Sequence, residues 1–111
     1  MSALWAITPE KIQEAVQKIV SIEQPRRIIL FGSAARGTTN VNSDVDFLVV
    51  TKDEVKSPRK ESVRIRRALD VLMPMDILVI SEEKLKQYGD QPGLIYREAL
   101  RTGKVMYESS A

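Results

Sequence analysis

The run Val45-Asp46-Phe47-Leu48-Val49-Val50 constrains the fold more than any other segment, because it is apolar at both parities. Successive side chains of a strand leave opposite faces, so Val45, Phe47 and Val49 point one way and Asp46, Leu48 and Val50 the other. A strand apolar on both sides belongs inside a sheet whose two faces are both covered. Two further runs read as strands: Arg27-Ile28-Ile29-Leu30-Phe31, stopped by Gly32, and Met75-Asp76-Ile77-Leu78-Val79-Ile80, which follows Pro74. Val105 to Tyr107 adds a short fourth candidate.

Helix signals alternate with these strands. Thr8-Pro9 pairs an N-cap residue with proline at the first helical position, and Ile12, Val16 and Ile19 follow on one stripe, so a first helix is expected to about Ile22. Ser57-Pro58 repeats the signal ahead of Ile65, Ala68, Leu69 and Leu72, with Pro74 as the stop. Ser81 with Glu82 and Glu83 starts a short helix, and Pro92 is read as opening a last one through about Leu100, closed by Gly103. Ser33 to Arg36 is expected to form one helical turn. The alternation favours an α/β (α+β) layered domain: a mixed three- to four-stranded sheet flanked by helices. With 111 residues and 43% apolar content the whole of 1–111 is expected to be one domain.

The chain has neither cysteine nor histidine. Disulfides, thiolate or imidazole metal sites and Ser-His nucleophiles are therefore excluded, and catalysis must use carboxylates. MSALWAITPE lacks the basic start and apolar stretch of a signal peptide, and no run is long enough to span a bilayer, so a cytoplasmic protein with no membrane partner is expected. Net charge is only +2, but residues 56–67 hold Lys56, Arg59, Lys60, Arg64, Arg66 and Arg67 against Glu61. That run reads first as a solvated helix face, with a partner or phosphate contact left open. Trp5, Tyr88, Tyr96 and Tyr107 are too few and scattered for a base-stacking platform, which argues against nucleic acid as a direct partner.

The chemistry concentrates at the strand starts. Asp44 and Asp46 lie two apart, so their side chains leave one face roughly 6–7 Å apart at the backbone. Two carboxylates this close each favour protonation of the other unless a cation stands between them, and Mg²⁺ prefers oxygen ligands. A simple turn followed by a solvated residue is the bland alternative, and the apolar character of both faces speaks against it. Asp76 opens the third strand among apolar neighbours; beside the second strand it would complete a metal site or accept a hydroxyl proton. Gly32-Ser33 sits where a strand gives way to a helical turn, a place that offers backbone N–H groups to a phosphate, with Arg36 one turn on.

The string LFGSAARGTTNVNSDVDFLVV, in which Gly32-Ser33 and Asp44-Val45-Asp46 are separated by ten residues, resembles the signature of the polymerase-β-like nucleotidyltransferases. PMDILVI and REALRTGKVMYE are similar to that family as well, most of all to its minimal nucleotidyltransferases, which consist of the catalytic core alone. The resemblance implies that Asp44 and Asp46 bind two Mg²⁺ ions and Asp76 completes the triad. It also implies that Gly32, Ser33 and Arg36 hold a nucleotide triphosphate, ATP by expectation. Attack of an acceptor hydroxyl on the α-phosphate would transfer AMP and release pyrophosphate. Such minimal transferases are paired with helical HEPN toxins, so the resemblance further implies an antitoxin that adds AMP to a tyrosine of its partner. The chain ends almost as soon as the core does, which agrees with an acceptor supplied by another protein. Two alternatives stand: a non-catalytic antitoxin that neutralises its partner by binding, and transfer to a small molecule in a pocket built by a homo- or hetero-oligomer.

Overall fold

The strand that is apolar on both faces is an interior strand of the sheet. In a computed structural model, which describes residues 6–32, 44–92 and 94–110, the elements run α1 (Pro9–Glu23), β1 (Arg27–Phe31), β2 (Val45–Thr51), α2 (Pro58–Leu69), β3 (Met75–Ser81), α3 (Glu82–Tyr88), α4 (Ile95–Thr102) and β4 (Lys104–Glu108). The four strands form one mixed sheet in the order β3-β2-β1-β4. β1 pairs antiparallel with both β2 and β4, and β2 pairs parallel with β3. The parallel pair needs a crossover, which α2 supplies. The expected turn from Ser33 to Arg36 lies outside the described residues.

Alternation along the strands sorts the apolar residues into two layers. Ile28, Leu30, Val45, Phe47, Val49, Ile77 and Val79 face α1 and α2, meeting Ala15, Val16, Ile19, Ile65 and Leu69. Ile29, Phe31, Leu48, Val50 and Ile80 face α3 and α4, meeting Leu85 and Ala99. Phe47, Leu48, Val49 and Val45 are fully buried, as a strand covered on both faces requires. No helix among the described residues is long and apolar enough to cross a membrane.

Caps set the helix limits. Thr8, Ser57 and Ser81 each accept a hydrogen bond from the backbone N–H three residues on. Two of the sequence expectations need correction. α2 ends at Leu69, where Asp70 turns left-handed (φ 53°), well before Pro74. Leu72 therefore leaves the helix and is 47% exposed, Ala68 is exposed too, and Met73 from the connecting loop fills the core instead. Pro92 does not open α4, because a hydrogen-bonded turn occupies that stretch: the Gln91 N–H donates to the Tyr88 carbonyl and the Leu94 N–H to that of Gln91. The helix starts only at Ile95.

α1 and α2 are joined by polar contacts as well as by packing. Lys18 Nζ donates to the Leu69 carbonyl at 2.8 Å, satisfying an orphan acceptor at the end of α2. Glu23, at the end of α1, is only 8% exposed in its side chain and meets Glu61 and Arg64 of α2. Burial, and then the Glu61 carboxyl beside it, push the Glu23 carboxyl up to about 7 despite the Arg64 guanidinium. Glu61 is held low by its hydrogen bond from Arg64.

A carboxyl whose folded pKa exceeds its ordinary value of 4.5 binds more protons in the folded state, so between pH 4.5 and about 7 stability falls as pH rises. Glu61, shifted the other way, loses its contribution only below that window. Chemical denaturation at pH 5 and pH 8 should show a loss of about 1–2 kcal/mol in the wild type. Glu23→Gln should show less than half of it; an unchanged slope would contradict the assignment.

Candidate active site

Strand register brings the acids together. β2 and β3 run parallel with Asp46 opposite Asp76, so the two side chains leave the same face from neighbouring strands roughly 4.8 Å apart at the backbone. That face is the one carrying Leu48, Val50 and Ile80, covered further along by α3 and α4. Asp44 immediately precedes β2, and two-residue spacing sends Asp44 and Asp46 to one side. Asp44 and Asp76 are exposed and Asp46 is half-buried, so the three carboxylates open to solvent at the starts of β2 and β3.

The third segment to arrive is the end of β1. Phe31 pairs with Asp46 in the antiparallel ladder, which places Gly32 directly against the Asp46 carboxylate. Gly32 has φ +78°, a conformation that L side chains resist. A Cβ there would collide with Oδ2 of Asp46 and stand 3.4 Å from its Cγ. Glycine is thus required twice over, by the backbone angle and by the closeness of an acid. Ser33 and Arg36, expected from the sequence to contact nucleotide, lie outside the described residues.

Electrostatics separates Asp46 from an ordinary surface acid. Burial first, then the negative charges of Asp76, Asp44 and Glu98, raise its carboxyl above the usual range. Glu98 was not among the acids picked out from the sequence. It sits on α4 beside the fully buried Ala99, whose packing on the sheet brings Glu98 to the acidic face. The only sequence signal was an acid next to a small apolar residue in REAL, which means nothing until α4 is known to cover this face. Glu98 also lines an open groove of about 610 Å³ with Leu94, Ile95, Arg97, Arg101 and Thr102.

Among the described residues no three acids already close around one point as a metal cage. An open set of carboxylates is nevertheless what Mg²⁺ uses, since it is ordinarily held by one or two carboxylates and completes its shell with water and substrate phosphate. The repulsion of Asp46 by Asp76, Asp44 and Glu98 is relieved by a cation, and the side-chain-free approach at Gly32 leaves the Asp46 oxygen uncovered. The residues therefore fit a divalent cation. Of the aromatic residues named from the sequence, Tyr96 and Tyr107 pack partly buried against the two apolar layers, Tyr88 is 39% exposed, and Trp5 lies outside the described residues.

The fold is found in other proteins of known structure. A candidate nucleotidyltransferase of Sulfolobus solfataricus is similar over 89% of this chain and 78% of its own, with TM-score 0.62 at 19% identity. A toxin–antitoxin complex crystallised with AMP-PNP contains a chain similar over 88% of this one and 74% of its own, with TM-score 0.58 and 22% identity. A doubly substituted MntA–HpeT toxin–antitoxin contains another, at TM-score 0.56 and 19% identity, with 88% of this chain and 74% of that one covered. At these identities the likeness is one of fold. No curated protein sequence matches the chain. A family model of the nucleotidyltransferase domain, however, matches residues 9–104, a span that holds β1 to β3 and all the acids of the site, and the chain belongs to that family.

Proposed function

We propose that this nucleotidyltransferase moves AMP from ATP to a hydroxyl, a tyrosine by preference, of a HEPN-type helical toxin, and thereby acts as its antitoxin. The observation that carries the reading is the placement of Asp46 against Asp76 across parallel strands, with Asp44 two residues before it and Gly32 pressed against its carboxylate. Support for the partner comes from fold neighbours that are toxin–antitoxin complexes, one of them with AMP-PNP.

In this reading Asp44 and Asp46 hold two Mg²⁺ ions, with Asp76 as the third ligand. When bound, such cations neutralise charge developing on the phosphates and clamp the attacking and leaving oxygens. The chain's own groups do the rest. Asp46, whose carboxyl burial and neighbouring acids make reluctant to ionise alone, is the residue most dependent on a cation for its charge. Asp76, exposed at the start of β3, is placed to take the proton of the acceptor hydroxyl. Gly32 keeps the approach to Asp46 free of side-chain atoms, and Ser33 and Arg36 are assigned to the triphosphate. The groove beginning at Glu98 gives a protein acceptor room beside the acids.

Mass spectrometry of the partner toxin after incubation with ATP and Mg²⁺ should find added AMP. Asp44→Ala/Asp46→Ala should lower the transfer rate by a factor of about 10³ or more while the protein stays folded. Unmodified partner, or full transfer by the double variant, would sink the proposal. Gly32→Ala should slow transfer and also destabilise the fold, by about 1–2 kcal/mol from the positive φ alone. A variant equal to wild type in both would show that Gly32 is not pressed against the site.

A further inference from the structure

The outward side of α2 presents a surface that nucleotidyl transfer leaves unused. Lys60, Val63, Arg64 and Arg67 follow helical spacing along one stripe, while Ile65 and Leu69 hold the opposite side in the core. Together with Arg59 and Ala68 the stripe lines an open groove of about 710 Å³. Its floor is apolar, with Val63 44% exposed at the centre, and its walls are cationic.

A merely solvated basic helix places acids three or four residues from its cations so that the charges neutralise each other. α2 does not. Its one acid, Glu61, is committed to Arg64 and to Glu23 of α1. Among the described residues Arg59, Lys60 and Arg67 take part in no ion pair. Arg64 is held in place by Glu23 and Glu61, so one wall of the groove is already ordered before anything binds.

We infer that this face docks an acidic, amphipathic helix of a partner protein. An apolar residue on that helix meets Val63 and Ala68, and carboxylates one turn to either side meet Arg59, Lys60 and Arg67. The chemistry favours a helix over a nucleic acid. A phosphate backbone has no use for an apolar floor, and the groove offers no aromatic side chain on which a base can stack. α2 packs on the sheet face opposite the one carrying Asp46 and Asp76, so docking here leaves the acids accessible. The inference stands independently of the transfer reaction.

Fluorescence anisotropy of the full chain tests it with three probes. These are a labelled peptide of Glu, Leu and Ala with leucines at helical spacing, a shuffled peptide of the same composition, and an RNA oligonucleotide of the same net charge. The patterned peptide should bind at least about tenfold more tightly than the shuffled one. Arg59→Glu/Arg67→Glu and Val63→Gln should each weaken it by about tenfold or more, with melting curves showing both variants folded. Asp44→Ala/Asp46→Ala should bind as wild type does. Equal affinity for the shuffled peptide, tighter binding of the RNA, or indifference to the α2 substitutions would overturn the assignment, as would loss of binding in the double-Asp variant.

Discussion

The parallel pairing of β2 with β3 is the constraint on which the site depends. Only in that register does Asp46 lie opposite Asp76, and a slip of one residue would turn the whole of β3 over, sending Asp76 and the core residue Ile77 each to the wrong face. The register is secured by burial. Val45, Phe47 and Val49 face α1 and α2, while Leu48 and Val50 face α3 and α4, so neither parity is free to exchange with solvent. The Ser62 hydroxyl of α2 also donates to the Ile77 carbonyl and fastens the crossover helix to β3. The apolar layers thus fix to within a residue the positions of acids that contribute nothing to the layers themselves.

Those acids work against the fold. Asp46 carries the cost of partial burial and of three neighbouring negative charges, a cost that a packed apolar residue would avoid. Gly32 adds a positive φ at a place where a side chain would fall on that carboxylate. Strain and repulsion concentrated at the starts of two strands mark a site shaped for a ligand and not for stability. A divalent cation reverses the sign of this local balance, turning clustered carboxylates from a liability into ligands. Family membership over residues 9–104 gives the reaction class to which that chemistry belongs.

Much of this was legible in the sequence, for reasons that can be named. β1 was read at its observed limits and β2 and β3 to within one residue, because a strand covered on both faces leaves an unbroken apolar run bounded by turn residues. Asp44, Asp46 and Asp76 stood out because acids at the start of such runs are costly. The start of α4 was not legible: proline is equally at home in a turn and at a first helical position, and only the Tyr88–Gln91 turn decides between them. The end of α2 was missed because the apolar stripe continues to Leu72, and an aspartate at position 70, though it tolerates the left-handed conformation, is only a weak stop signal. Glu98 was invisible because its significance comes from α4 packing over the sheet, a long-range fact with no signature in REAL. The pairing of Glu23 with Glu61 and Arg64 escaped for the same reason, being made between two helices far apart in the chain.

Asp44, Asp46 and Asp76 are proposed to form one cation and nucleotide site beside Gly32. The most direct measurement is a crystal structure of the chain with a non-hydrolysable ATP analogue and Mn²⁺, in which anomalous scattering locates the metal. An anomalous peak bridging Asp44 and Asp46 is expected, with the analogue's phosphates between that metal and the backbone at Gly32. Metal and nucleotide bound elsewhere, or these carboxylates left without a cation at saturating Mn²⁺ and nucleotide, would contradict it.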